Sequence, residues 1–531
     1  MDAVGTFVAR ATSTKEGFIA SLRDARATQA RLLTRYLELN RDTVFGREHG
    51  FAELRTLDDY RRAVPIRTFA ELQPYIDRVV AGERGVLTAM EAVLFLSTTG
   101  TTGAPKMIPT TREYMRNSTQ TMLAYWATLI EQFPQLAQRD DSIVMLFMAP
   151  KPFSTFTPTG VPIHNPTCLP ADIKSGFPFA RAPWFPPPSE LSDADRLYYL
   201  VRLAAEHPIV GLACLHPSRL QSLLLLLQQK HEQLIEDIGK TNSARARQLA
   251  AAVEGGRLLP RAIWPSLEFV SCWTGGSFEL YLPEIRAAFG GRVFPQTSSS
   301  SEAGHITLPI DGRETDGPLT IQNNVYEFLP VIGGVRVDGP TKTFDELELG
   351  ATYELVLTTA SGFYRYVCGD VFRVIDFQYG VPCLQFVGRG GVSDMTGEKI
   401  SDEHVIDALR GALRTCELET RVATCCARWG RPPAYEFYVE PAGTWPEAAR
   451  AAFEAALDAE LRRMNSRYEL KRGFGDLGAA RARLVPAGLF GRYRDHLIAK
   501  GLPPTQLKDK VLHTDGGFLA FVDAALGTSA S

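Results

Sequence analysis

Apolar residues recur at helical spacing among basic ones over residues 13–40, where Phe18, Leu22, Ala25, Leu32, Leu33, Tyr36 and Leu37 predict one amphipathic helix or two. Shorter helical turns follow at 57–60 and 64–72, broken at Pro65. Ala92-Val93-Leu94-Phe95-Leu96 has the length and continuity of a buried strand. Thr110 or Thr111 is then placed to cap a helix running through Tyr114, Met115, Met122 and Trp126. A second buried strand is predicted at 142–148. The Pro- and Gly-rich stretch 149–188 has no regular period, which suits a lid, a pocket wall or a surface excursion. Residues 194–253 read as mostly helical, with Leu197, Leu200, Val201 and Ala204 on one stripe and Leu220, Leu223, Leu224 and Leu227 on another.

A strand over 267–273 ends at Thr274-Gly275-Gly276, and a helical pattern covers 281–289. Arg292-Val293-Phe294-Pro295-Gln296 then closes on a run of hydroxyl residues. From Tyr353 to Ile375 the period becomes two, with glycines between runs, which predicts a β-meander. Gly388-Arg389-Gly390-Gly391 interrupts the strands and places a domain boundary between 1–391 and 392–531. Beyond it, Ser401 precedes a helix carrying Val405, Leu409 and Leu413, while Thr444 and Glu447 predict a capping box before Phe453, Leu457, Leu461 and Met464. Strands at 422–426 and 435–439 lie between these helices and complete a small α+β domain.

Composition adds limits to that picture. A chain of 531 residues, 45% hydrophobic and 22% charged, can bury a large core and is long for one domain. Its formal net charge of -3 supplies no electrostatic reason for a nucleic acid or an anionic membrane as partner. The eight cysteines form no C-x-x-C pair and no Cys/His array at zinc spacing, so reduced core thiols are expected. No signal-peptide pattern opens the chain, and the longest aliphatic run, Leu223 to Leu227, is far too short to span a bilayer. A soluble cytoplasmic enzyme acting on small molecules is the expectation from these features; a monomer is compatible with them, and they do not fix the oligomeric state.

Candidate chemistry concentrates in a few segments. Ser97-Thr98-Thr99-Gly100-Thr101-Thr102-Gly103-Ala104-Pro105-Lys106 packs five hydroxyls, two glycines and a lysine behind the first predicted strand. Glycines let backbone N–H groups approach phosphate oxygens, and hydroxyls and an ammonium add donors. A polar turn between two strands is the alternative, and the spacing is not that of the P-loop. Thr297-Ser298-Ser299-Ser300-Ser301-Glu302 ends a hydroxyl run in a carboxylate, which suits Mg²⁺ beside phosphates or, equally, a flexible capping segment. Asp370 directly after Gly369 can accept bonds from a ribose diol or serve an ordinary turn. His305 and His164 are polar residues near these segments, available as bases or as structural groups.

Together these stretches resemble the adenylate-forming superfamily of acyl-CoA synthetases, peptide-synthetase adenylation domains and luciferases. Within it they are similar to the acyl acid amido synthetases, the plant enzymes that conjugate auxin or jasmonate to amino acids, and their bacterial relatives. Thr98 to Lys106 resembles the superfamily's phosphate loop, Tyr364-Arg365-Tyr366-Val367-Cys368-Gly369-Asp370 the amido synthetases' Tyr-Arg-Tyr-x-x-Gly-Asp, and Ser300-Ser301-Glu302 their Ser-Ser-Glu. Further likeness runs from Tyr60-Arg61-Arg62-Ala63-Val64-Pro65 to Gln506-Leu507-Lys508, nearly the whole chain.

The resemblance implies an α/β fold, with a large N-terminal domain bearing a β-barrel-like subdomain and a small mobile α+β C-terminal domain. It implies that Thr98, Thr99, Gly100, Thr101, Thr102, Gly103 and Lys106 hold the ATP phosphates. It puts Mg²⁺ on Glu302, a phosphate or the acyl carboxylate near Ser301, and the ribose on Asp370 and the hinge residue Arg389. Lys508 would swing in with the small domain to stabilise charge during adenylation. Ser298 stands where the family has an adenine-stacking Tyr, and Leu507 and Lys510 replace its Tyr and Pro, so Lys510 remains a second choice for the lysine. The expected reaction converts a carboxylic acid and ATP into acyl-AMP and pyrophosphate, then transfers the acyl group to an amine or amino acid. A ligase using CoA or a carrier-protein thiol is the alternative, and a nucleotide-sensing protein without turnover is a third.

Overall fold

A computed structural model of the chain describes residues 3–98, 106–138, 143–146, 155–164, 191, 193–215, 217–275, 282–313, 315–332, 335–389, 392–441, 444–500, 511–514 and 516–527. The N-terminal apolar stripe forms two helices, Ala3–Arg23 and Ala25–Asn40, which part at Asp24. Helices Leu57–Ala63 and Phe69–Val80 both open on capping boxes, Thr56 with Asp59 and Thr68 with Glu71. Each box satisfies orphan N–H groups at a helix start.

The centre of the large domain is a parallel sheet in the order Ile143–Leu146, Ile209–Ala213, Phe269–Cys272, Arg292–Pro295. Side chains of its last three strands alternate between two cores. Val210, Phe269 and Phe294 pack toward helix Arg112–Gln132 and the first helix, while Leu212, Val270 and Val293 pack toward helices Asp193–Ala204 and Ser218–Gly239. Coverage on both faces is the usual condition of a parallel sheet. The strand at 209–213 lies inside the region expected to be helical; its Gly211 backs onto the Phe269 ring, which a Cβ would meet at 2.3 Å.

A second sheet holds the predicted meander. Its seven strands run in the order Val335–Arg336, Val325–Ile332, Thr352–Thr358, Tyr366–Gln378, Val381–Arg389, Val392–Ser393, Ile400–Ser401. The expected β-rich subdomain is thus an antiparallel sheet whose outermost strands, among the described residues, are Val335–Arg336 and Ile400–Ser401. Its hydrogen bonding also continues past residue 391, since Arg389 pairs with Val392 and Ser393 with Ile400.

The C-terminal layer is a sheet ordered Arg481–Leu484, Ala434–Pro441, Thr420–Arg428, Leu512–His513. Helices Asp402–Cys416 and Glu447–Met464 cover one face, and Leu489–Ala499 with Gly517–Ala525 the other. The helix expected to open on Thr444 as its cap starts two residues later. Pro446, with its fixed φ of -61°, takes the cap position instead and makes Glu447 the first helical residue. Among the described residues no helix is long and apolar enough to cross a membrane.

Candidate active site

Strand Ala92–Thr98 pairs antiparallel with Lys106–Thr111, and Thr98 faces Lys106 as the last pair in register. The hydroxyl segment therefore lies between the ends of two paired strands. Residues 99–105, with Gly100, Thr101, Thr102 and Gly103, lie outside the described residues, as do Lys508 and Lys510. Lys106 is described, and its Nζ stands 4.8 Å from the centroid of the Phe69 ring. Thr111 caps helix Arg112–Gln132, its hydroxyl accepting from the Tyr114 N–H.

That helix reaches the second segment. Ser301, Glu302 and Ala303 make the turn of a short hairpin in which Gly304 pairs with Ser300 and His305 with Ser299. Gly304 has φ +69°, a left-handed value that glycine adopts freely. The turn is pinned from several directions: Tyr114 donates its hydroxyl to the Ser301 carbonyl at 2.9 Å, and Asn324 Nδ2 donates to the Ala303 carbonyl at 2.8 Å. Tyr366 donates to Glu302 Oε1 at 3.1 Å. Glu302 is buried, and among the described residues Tyr366 is the one hydrogen-bond donor to its carboxylate. Burial and the Glu302 charge push the Tyr366 phenol far above its ordinary pKa, so it stays a donor. Acceptor capacity is left over on the carboxylate. Among the described residues no three His, Cys, Asp or Glu side chains gather as a metal cage. A single carboxylate suits Mg²⁺, which keeps several waters and takes further oxygens from phosphates.

The third segment is a β-bulge. Val356 pairs with Val367 but Glu354 pairs with Val371, so Cys368, Gly369 and Asp370 stand opposite the single residue Leu355. Gly369 takes φ +82° there. A bulge re-aims a side chain beside a site, and this one buries Asp370 directly across from Arg389 on the neighbouring strand. The preceding Arg365 serves another end. Its guanidinium forks onto Glu327 at 2.9 and 3.0 Å and donates to the Arg61 and Val64 carbonyls at 3.0 and 2.8 Å.

The two histidines separate. His305 Nδ1 lies 2.7 Å from Thr297 Oγ1, and burial lowers its pKa to about 4, which makes it a weak base. His164 ends strand Pro162–His164, where it pairs with Leu96. Tyr366 and Tyr114 were the contacts that reading the sequence missed. Tyr366 sat within a quoted motif, but nothing in spacing connects it to a carboxylate 64 residues earlier.

Comparison with known proteins agrees along the chain. The GH3 family N-terminal domain matches residues 14–294, the GH3 family central domain 318–389 and the GH3 family C-terminal domain 403–516. The indole-3-acetic acid-amido synthetase GH3.8 of Oryza sativa subsp. indica is 24% identical, over 94% of this chain and 91% of its own. The 4-substituted benzoates-glutamate ligase GH3.12 of Arabidopsis thaliana is 25% identical over 85% and 86%. Among solved structures, the GH3.15 acyl acid amido synthetase in complex with 2,4-DB superposes with a TM-score of 0.63 at 19% identity, covering 96% of both chains, and so shares the fold.

Proposed function

The chain belongs to the GH3 family, and on that premise we propose that it is an ATP- and Mg²⁺-dependent acyl acid amido synthetase. Both substrates besides ATP are small molecules, a carboxylic acid and an amine or amino acid, as the names of the relatives suggest. An oxygen of the acid's carboxylate attacks the α-phosphorus of ATP, and the bond to the leaving pyrophosphate breaks, giving acyl-AMP. The amine nitrogen then attacks the acyl carbon, AMP departs with the bonding electron pair, and the nitrogen loses a proton. Such chemistry asks the protein chiefly for positioning and charge stabilisation.

Thr98 to Lys106 is assigned to the phosphates and Asp370 with Arg389 to the ribose hydroxyls. Ser301 is assigned to the phosphate or acyl carboxylate beside them, and Lys508 to the charge that develops in adenylation. Mg²⁺ on Glu302 would neutralise phosphate charge. Arg389 is also assigned as the hinge residue between a domain at 1–391 and a mobile domain at 392–531. The observation that carries the reading is the Tyr366–Glu302 hydrogen bond, because it joins the strand bearing Asp370 to the turn bearing Glu302. Two segments with nucleotide-binding resemblance thereby meet in space.

Pyrophosphate–ATP exchange across a panel of carboxylic acids tests this. Exchange should require both an acid and Mg²⁺. Binding of ATP with no acid-dependent exchange would make the chain a nucleotide sensor instead. With an accepted acid, Lys508→Ala should slow exchange by ~10²-fold or more and change ATP affinity less. An unaltered rate, with loss in Lys510→Ala, would transfer the role to Lys510.

A further inference from the structure

A row of side chains connects the lysine that ends the phosphate segment to the carboxylate of the Ser301–Glu302 turn. Lys106 Nζ sits over Phe69 at 4.8 Å, Phe69 stacks on Phe363 at 6.4 Å between centroids, and Phe363 meets the Tyr366 ring at 4.9 Å. The Tyr366 hydroxyl then completes the row at Glu302 Oε1. Phe363 and Tyr366 are buried.

Packing alone does not call for a hydroxyl at 366. Phenylalanine would fill nearly the same volume, and burying a phenol without a partner is costly. What the hydroxyl adds is direction. The terminal torsion of a glutamate is broad and roughly two-fold, so an untethered carboxylate turns between orientations. A donor fixed on a buried strand holds one oxygen and leaves the other in a defined place. Tyr364, two residues earlier, makes a contrasting bond: its hydroxyl donates to the Leu87 carbonyl at 2.6 Å and ties the side chain to backbone rather than to a carboxylate.

We infer that Tyr366 is a positioning residue, whose hydroxyl fixes one Glu302 oxygen so that the other faces Mg²⁺ and the ATP phosphates, while Phe363 and Phe69 hold Lys106 in the same frame. This rests on the assignment of Glu302 as the metal-binding carboxylate. Partners that orient metal ligands are worth tenfold or more in metal affinity when lost.

The test uses the full chain and two readouts. One is the Mg²⁺ concentration that half-saturates acid-dependent pyrophosphate exchange. The other needs no turnover: Mn²⁺ bound with a non-hydrolysable ATP analogue, followed by electron paramagnetic resonance. Tyr366→Phe should raise both half-saturating concentrations by about tenfold, with the ATP KM at saturating metal little changed. Tyr364→Phe, which removes a buried hydroxyl bonded to the Leu87 carbonyl rather than to Glu302, should lower Tm and leave both metal values in place. Unmoved metal values in a folded Tyr366→Phe overturn the inference, as does an equal shift in Tyr364→Phe. If Tyr366→Phe does not fold, Phe363→Leu, which keeps the hydroxyl and removes the ring behind it, should shift the metal values in the same direction; no shift overturns the row. Glu302→Gln separates the two levels. Metal binding unaffected by Glu302→Gln removes the assignment of Glu302 itself, whereas a loss there with none in Tyr366→Phe removes only the positioning role.

Discussion

Two buried glutamates in this chain each accept a tyrosine hydroxyl, and their remaining surroundings are opposite. Glu398 takes its bond from Tyr435 and three more from the Met395 N–H at 2.8 Å, the Thr396 N–H at 2.7 Å and the Thr396 hydroxyl at 2.9 Å. Its own carbonyl accepts Asn465 Nδ2 at 2.9 Å, so the turn at 395–398 is laced to the C-terminal layer. Burial, reinforced by the charge of Asp394, holds its carboxyl above the usual range. Glu302 has Tyr366 alone among the described residues. A carboxylate offers about four lone-pair sites, so the donors among the described residues use up Glu398 and leave capacity on Glu302. The count of those donors, rather than burial, separates the carboxylate that builds structure from the one proposed to hold Mg²⁺.

A third glutamate extends the comparison and should show the largest effect. Glu327 is buried between Arg365, Arg61 and Thr341, with the Arg365 pair at 2.9 Å. Arg365→Met removes the two-pronged partner of that buried charge and leaves it only Arg61 and Thr341, and unfolding in denaturant should show a loss of about 3 kcal/mol. A loss within experimental error would mean that donor counting does not identify structural carboxylates.

Glu302→Gln should reverse the pattern. Acid-dependent pyrophosphate exchange should fall by ~10²-fold while Tm changes little, because among the described residues one hydrogen bond to the side chain is disturbed. A large drop in Tm with normal exchange would put Glu302 in the same class as Glu398. Glu398→Gln places an amide against two backbone N–H donors and should cost about 1–3 kcal/mol of stability, with exchange per folded molecule near that of the parent chain.

The smallest effect concerns His305. Its pKa falls from the ordinary 6.5 to about 4 in the folded chain, so the unfolded chain binds the extra proton between those values. Its contribution to stability is complete above pH 6.5 and is lost as pH drops toward 4. Between pH 7 and pH 5 the parent should lose about 1–2 kcal/mol more than His305→Asn. Identical pH dependence in the two chains would show that His305 is not held neutral.

How much of this was legible depended on the range of the interactions. The strand at 92–98, the parallel strands at 269–272 and 292–295 and the helix capped by Thr111 follow from local apolar runs and a local cap. Strand Ile209–Ala213 did not, because a short apolar run between two amphipathic helices carries no period of its own; its identity comes from neighbours in the sheet. The same limit hid the site. Asp370 could be singled out after Gly369, yet the bulge that aims it requires the register against Leu355, and the Tyr366–Glu302 bond requires the tertiary fold. The motifs named the segments through resemblance, and geometry assigned which tyrosine and which glutamate meet.

The most direct measurement is an acceptor competition. The chain is incubated with ATP, Mg²⁺, an acid that supports pyrophosphate exchange, a mixture of amino acids and CoA, and the products are read by mass spectrometry. The expected product is an N-acyl amino acid, formed with one AMP and one pyrophosphate per amide. A CoA thioester as the sole acyl product would contradict the proposed function.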